Sequence, residues 1–291
     1  MALDGSPSAR WLARGSSHIR TQARLLMEEE RRAGVAIDKP SEWMIAREER
    51  EYALADAIVT ISGFAERSFA ETVFAEKVFT IPLGVQTEDF QIGPAKIEER
   101  RQRIVSDGPL RVLFVGTKSF RKGIVDLIAI ANALNGKLKF KIVGSTEPGA
   151  GRFLKRFAAG VELCSPVGQL DLAGVFEWAD VFIFPTIEDG FAAVLAEAHA
   201  AGLPILTTTN CGGPDFIVDG VTGWVMPIRK PEAFVERLQW ADAHRPELAE
   251  MVRRISTDFK PRTWDEFARD FEEALERSKR AMALGEARSC V

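Results

Sequence analysis

Two carboxylates and a lysine are the residues in this sequence whose types and spacing could do chemistry together. Asp189 and Glu197 lie in Pro185-Thr-Ile-Glu-Asp-Gly-Phe-Ala-Ala-Val-Leu-Ala-Glu197, where an apolar run ends in a glycine turn and opens an apolar helical stretch. An acid on an apolar helix costs free energy unless it has partners. Sugar and ribose hydroxyl pairs are suitable donors to such an acid, and the N–H groups of Phe191, Ala192 and Ala193 could hold a phosphate at the helix start. The alternative is local: Asp189 caps the helix and Glu197 bonds a neighbouring backbone N–H. The lysine, Lys122, lies in Gly116-Thr-Lys-Ser-Phe-Arg-Lys-Gly123, which also follows a strand-like run and opens a helix. That segment offers backbone N–H groups and an ammonium to an anion, or it is simply a charged turn. It is not a Walker loop, because the order is Lys122-Gly123 and not Gly-Lys-Ser/Thr. The pair Gly149-Ala-Gly151 lacks the third glycine of a dinucleotide fingerprint and is read as a loop.

The elements that must position these residues alternate in type. Segments 111–116, 140–144, 161–164, 180–185 and 204–207 read as strands, and helices of ten to fifteen residues start near Lys122, Arg152, Asp171 and Phe191. Repeated strand–helix units predict a doubly wound parallel sheet, whose ligands sit outside the carboxyl ends of the strands. The loops starting at Gly116, Gly144, Val167, Thr186 and Thr208 are therefore where chemistry is expected. The first 110 residues show two charged helical stretches, 17–32 and 41–54, and two strands, 57–62 and 78–82. Two strands close no stable parallel sheet alone, so this segment reads as the last part of a domain whose beginning is absent. Residues 83–109 read as a linker. Helices follow at 232–243, 246–256 and 263–284, the last with Trp264, Phe267, Phe271 and Leu275 on one face.

These residues and motifs resemble the retaining glycosyltransferases of GT-B fold, specifically glycosyltransferase family 4. Asp189-Gly-Phe through Glu197 looks like the family's E-x7-E signature. The resemblance also runs, in order, through Ala55-Asp-Ala-Ile-Val-Thr-Ile-Ser62, Ile81-Pro-Leu-Gly-Val85, Phe114-Val-Gly116 with Arg121-Lys-Gly123, and Val167-Gly168. It continues through Ala179-Asp-Val-Phe-Ile-Phe-Pro185, Ala201-Gly-Leu-Pro204, Asp219-Gly-Val-Thr-Gly223 and the helix at Trp264.

The resemblance implies an α/β protein of GT-B type, with one complete Rossmann-like parallel-sheet domain and a partial N-terminal one. Residues 1–83 would be the acceptor side, 84–260 the donor domain, and 261–291 a helix returning to the N-terminal domain. It implies transfer of a sugar from a nucleotide diphosphate sugar to a hydroxyl of a sugar, lipid or other acceptor, with retention and with no metal or separate cofactor. Lys122 would neutralise the diphosphate, Glu197 would bind the ribose, and Asp189 would contact the donor sugar. Gly190, Phe191, Ala192 and Ala193 would meet the distal phosphate, and Val167 and Gly168 would border the base.

Three departures from the family stand out. Thr117 follows Gly116 where the family often has Arg, with Lys118 beside it as the compensating cation. Asp189 is one methylene shorter than the usual Glu, and Glu188 adjoins it. The family's early strands are missing. His18, in Arg14-Gly-Ser-Ser-His18, falls where the family places an acceptor-cleft histidine, while His199 and His244 read as helix-face residues.

Bulk properties agree with a globular chain. Among 291 residues, 46% are apolar, and 38 Lys and Arg against 42 Asp and Glu leave a formal charge of -4, which argues against nucleic-acid binding by bulk charge. No stretch approaches the roughly 18 uninterrupted apolar residues of a membrane span, and no signal-peptide pattern opens the chain, so a cytoplasmic location is expected. A peripheral contact with a membrane and a partner chain completing the acceptor domain are further expectations. Cys164, Cys211 and Cys290 have no paired spacing and read as neither a disulfide framework nor a zinc site. Two other readings stand beside the transferase: a non-catalytic nucleotide-sugar-binding protein or subunit, and a GT-B epimerase or phosphorylase.

Overall fold

The computed structural model describes residues 9–289. Cys290 lies outside them. The first part of the chain runs β1 (Trp11–Arg14), α1 (Ile19–Ala33), α2 (Glu42–Leu54), β2 (Ala57–Thr60), α3 (Gly63–Arg67) and β3 (Val78–Thr80). The three strands form one parallel sheet in the order β1-β2-β3. The second part opens with α4 (Pro94–Val105), β4 (Arg111–Val115), α5 (Ile124–Ala133), β5 (Lys139–Val143), α6 (Gly151–Leu154), β6 (Glu162–Cys164) and α7 (Gln169–Trp178). It continues with β7 (Val181–Phe184), α8 (Ala193–Ala200), β8 (Ile205–Thr208), β9 (Gly223–Met226), α9 (Pro231–Ala243) and α10 (Arg245–Asp258), and ends in α11 (Trp264–Ser289). Its six strands are all parallel, in the order β6-β5-β4-β7-β8-β9.

That order places the topological switch between β4 and β7. Strands after β4 are added on one side, and strands after β7 on the other, so the helices leave a crevice outside the ends of these two neighbours. The apolar runs that predict the central strands are buried on both faces, as helix cover of a parallel sheet requires. Val112, Leu113 and Phe114 of β4 and all four residues of β7 are at most 1% exposed. Among the described residues no helix is long and apolar enough to cross a membrane.

Four expectations from sequence change. Trp11–Arg14 is a third strand of the first sheet, paired Trp11 to Ala57 through Arg14 to Thr60; its short, arginine-ended edge carries little alternation. Gly223–Met226 is a sixth strand of the second sheet, again four residues long and at an edge. The helix near Arg152 is only four residues, in a stretch punctuated by Gly149, Gly151 and Gly160. The segment read as a linker contains α4, whose Pro94 sits in the first turn and whose Ile97, Arg100 and Ile104 are buried at spacings of three and four.

Arg100 fixes α4 to the six-stranded unit. Its guanidinium is 1% exposed and donates to the carbonyls of Ala201 and, at 2.8 Å, Phe176. The chain passes between the two units at a hinge, residues 82–85, and returns near Arg262: Val85 N–H donates to Arg262 O at 2.9 Å and Arg262 Nε donates to Pro82 O at 2.8 Å, which holds the two crossings side by side. A side chain at Gly84 would meet Trp264 N at 2.5 Å, so only glycine fits between them. Beyond the hinge, Phe267, Phe271 and Ala274 of α11 cover Val59 and Ile81 of the first sheet, whereas Trp264 is half exposed.

Arg100→Ala would leave the buried Ala201 carbonyl without its guanidinium donor and the Phe176 carbonyl with only the Ala179 N–H. We expect a loss of about 3 kcal/mol of stability, read as a lower urea midpoint with unchanged slope.

Candidate active site

The crevice at the switch is walled by the loops that follow β4 and β7. Gly123 ends the first of these with φ +77°, and a Cβ there would meet Pro185 O at 1.8 Å. Only glycine lets the two loops touch, and this contact brings Lys122 to the β7 side. The Lys122 ammonium pairs with Asp189 Oδ2 and stands 5.6 Å from the centre of the Phe184 ring. Asp189 Oδ1 accepts from Phe191 N–H at 3.3 Å and Ala192 N–H at 3.0 Å. Ala192, at the start of α8, has φ +62°, a left-handed conformation costing a non-glycine residue about 1 kcal/mol. Asp189 thus gathers one ammonium and two helix-start N–H groups around a single carboxylate. Asp189 does not cap α8, whose N-cap is Ala192; it accepts from the two N–H groups just before the helix, in a turn within its own loop.

Glu197 lies about one turn along α8 among buried Leu195, Ala196 and Ala198. It takes no hydrogen-bond or ion-pair partner among the described residues, and partial burial alone pushes its carboxyl above the ordinary glutamate range. The local backbone bond considered for it is not formed.

On the other wall, Gly116 and Gly144 meet back to back. A Cβ at Gly144 would lie 2.1 Å from Gly116 O. Thr117 Oγ1 is 3.1 Å from Ser145 Oγ. Lys118 does not stand free beside Thr117: it is 4% exposed, and its ammonium donates to the carbonyls of Gly144 and, at 2.7 Å, Cys164. The Cys164 carbonyl also accepts from Gly144 N–H at 3.3 Å, so the Lys118 charge is spent on carbonyls at the ends of β5 and β6 and the expected compensation for Thr117 is not delivered. Val167 is exposed, and Gly168 caps α7.

His18 is not brought into this crevice. It is 3% exposed, with its ring 4.8 Å from Phe69, 5.1 Å from Tyr52 and 6.3 Å from Phe74. Nδ1 accepts from Arg20 N–H at 3.2 Å and caps α1, while Nε2 is buried without a partner. Burial lowers its pKa to about 4, so it is a neutral core residue of the first sheet's unit at physiological pH.

The structure adds one residue that sequence spacing did not single out. Glu188 is fully buried, and its two oxygens accept from Ser17, Gln22 and Arg121. Beside it, Gly190 faces the first unit so closely that a Cβ would stand 2.1 Å from Gly15 O. The signal available in the sequence was the pairing of two adjacent acids, Glu188 and Asp189, with two adjacent cations, Arg121 and Lys122.

Comparison with known proteins agrees with this geometry. Residues 109–241 match the family described as Glycosyl transferases group 1. The capsular polysaccharide biosynthesis glycosyltransferase CapM of Staphylococcus aureus is 30% identical over 165 residues, covering 54% of this chain and 42% of CapM. The chain therefore spans less than half of that relative's length. Sucrose-phosphate synthase from Thermosynechococcus elongatus superposes with a TM-score of 0.68 at 19% identity, covering 93% of this chain and 68% of that one. HepE of Anabaena, solved in complex with UDP, superposes with a TM-score of 0.62 at 16% identity, covering 79% and 66%. The fold is the α/β GT-B type of these structures, and the likeness to glycosyl transferases group 1 lies within residues 109–241.

Proposed function

We propose that the chain binds a nucleotide diphosphate sugar in the crevice between β4 and β7 and transfers its sugar, with retention, to an acceptor hydroxyl. The observation that carries this reading is the cluster of Lys122 and the Phe191 and Ala192 N–H groups around the Asp189 carboxylate. Groups that together hold one anion inside the protein are equipped to hold another. The UDP bound by HepE and the family match over residues 109–241 support the choice of ligand.

In this reading the donor's distal phosphate takes the place of the Asp189 carboxylate on Lys122 and on the helix start. The displaced carboxylate then faces the sugar hydroxyls. As the bond between the anomeric carbon and the phosphate oxygen breaks, negative charge grows on the phosphate while the sugar becomes oxocarbenium-like. Lys122 and the fixed N–H dipoles are already in place to stabilise that charge, which lowers the barrier without reorganisation. Glu197, which has no partner among the described residues, accepts from the ribose hydroxyls, and Val167 and Gly168 border the base. Lys118 and His18 take no part. The acceptor enters from the side of the first sheet, whose Gly15 lies against Gly190. Retention and independence from metal are carried over from the family resemblance, and a cytoplasmic place of action with peripheral membrane contact is carried over from the sequence pattern.

A second reading has a specific observation behind it. The first sheet has three strands among the described residues, and the chain spans less than half of CapM. A subunit that binds the nucleotide sugar and needs a partner chain to complete its acceptor side would show the same site. Calorimetric titration with UDP, followed by product analysis with UDP-glucose, separates the readings. Transfer or hydrolysis by the chain alone supports the enzyme, and tight binding without turnover supports the subunit.

Asp189→Asn should tighten free UDP by about 1 kcal/mol, because it removes an internal competitor for Lys122. The same variant should slow turnover of UDP-glucose, and weaker UDP binding would contradict the displacement.

For Glu197, the raised pKa means that its proton returns early as the pH falls. Protonation removes the charged acceptor, so UDP affinity should drop as the pH is lowered through that raised value. Glu197→Gln should bind about 1–3 kcal/mol more weakly at neutral pH. Its affinity should also lose this pH dependence when titrated by calorimetry across the same range.

A further inference from the structure

The two loops of the crevice meet through two rungs of opposite charge, Arg121 with Glu188 and Lys122 with Asp189. The second rung lies in the donor crevice. The first points the other way, into the unit of the three-stranded sheet. Glu188 Oε1 accepts from Ser17 N–H and from Ser17 Oγ–H, both at 3.0 Å. Oε2 accepts from Arg121 Nε at 2.7 Å and from Gln22 Nε2 at 3.2 Å. Arg121 Nη2 in turn donates to Ser16 Oγ at 2.9 Å. Ser16 and Ser17 form the loop after β1, and Gln22 lies in the first turn or two of α1, so one buried carboxylate binds both units at once.

Geometry carries a displacement of that loop directly to the donor groups. Glu188 and Asp189 share a peptide bond, and the chain then passes Gly190, against which Gly15 leaves no room for a side chain. Asp189 N–H is itself held at 2.9 Å by Asn210 O, so the pair has one fixed backbone orientation. If the loop lifts, Glu188 loses its Ser17 and Gln22 donors and a buried carboxylate is left half paired. The least costly response is to turn the 188–190 backbone, which carries Asp189 away from Lys122 and from the Phe191 and Ala192 N–H groups.

We propose that Glu188 is a positioning residue that couples the seating of loop 15–17 to the arrangement of Asp189, Lys122 and the start of α8. The acceptor-side unit thereby sets the donor-phosphate site, and the two halves of the crevice become competent together. The catalytic consequence rests on the donor site proposed above, whereas the coupling itself is a property of the unliganded chain.

Two measurements on the full chain test these separately. The first is hydrogen exchange of the Ser17, Phe191 and Ala192 amides in Glu188→Gln and in Ser17→Ala. Glutamine keeps the size but removes the charge and one acceptor, and Ser17→Ala perturbs only the far side. Exchange should quicken by about tenfold at Phe191 and Ala192 in both variants, although neither substitution touches those amides. Acceleration confined to residue 17, or none, would overturn the coupling. Ser17→Ala carries this test alone if Glu188→Gln folds poorly.

The second measurement is UDP-glucose turnover and UDP affinity of Glu188→Gln. A misplaced constellation should lower kcat by about tenfold while UDP affinity stays within about threefold, because the loss falls on orientation in the transition state. Equal losses in both would show a merely structural role and overturn the proposal. If the unsubstituted chain binds no UDP, the donor reading fails, and the exchange experiment still decides the coupling.

Discussion

Desolvated charge at the junction of the two sheets governs how this molecule is assembled. The apolar contact there is small, with Leu25, Phe64 and Ile187 buried together and Ile228 against them. Around it, Glu188 accepts from Ser17 and Gln22, Asp215 accepts from Gly63 N–H at 3.0 Å, and Arg32 pairs with Asp126. Arg229 completes the set by reaching Glu28, Glu29 and the carbonyl of Leu25. Burial pushes the Glu29 carboxyl above its ordinary range even with Arg229 and Arg32 beside it. Such groups add little net stability compared with apolar packing, yet they tolerate few alternative geometries, because Glu29, Asp126 and Glu188 are buried and would be left unmatched. The junction is therefore built for position more than for strength.

The crevice between β4 and β7 depends on that placement and on one further contact. Gly123 allows the β4 loop to touch the β7 loop, and this touch delivers Lys122 to Asp189. Everything around the pair is then fixed by neighbours in sequence. Asp189 holds the two amides that lead into α8, Gly190 meets Gly15, and Glu188 takes the opposite direction into the first unit. A run of three residues, Glu188 to Gly190, thus performs three separate tasks because successive side chains in an extended loop point to different surroundings.

The long apolar strands and the helices between them were legible in sequence because burial on both faces leaves a strong pattern. The central strands β4, β5 and β7 and the helices α1, α2, α9, α10 and α11 fall within a few residues of their expected positions. The edge strands β1 and β9 were not legible, since four residues with one exposed side carry too little periodicity. Lys122, Asp189 and Glu197 stood out because acids and a lysine at strand exits are conspicuous. Glu188, Lys118 and His18 were misjudged or passed over for a common reason. Their roles depend on what the fold brings from far along the chain: Ser17 to Glu188, the carbonyls of Gly144 and Cys164 to Lys118, and Phe69 and Phe74 to His18.

The return of α11 across the hinge has a consequence for how the chain is made. Val59 and Ile81 of the first sheet are covered by Phe267, Phe271 and Ala274, which leave the ribosome some two hundred residues after the strands they shield. The six-stranded unit has all its strands by Met226 and its α9 and α10 cover by Asp258. Domains generally fold as units in order of synthesis. Here that order is reversed: the sheet translated first stays open on one face until the last helix is released, and the six-stranded unit, translated second, is the scaffold on which it is finished.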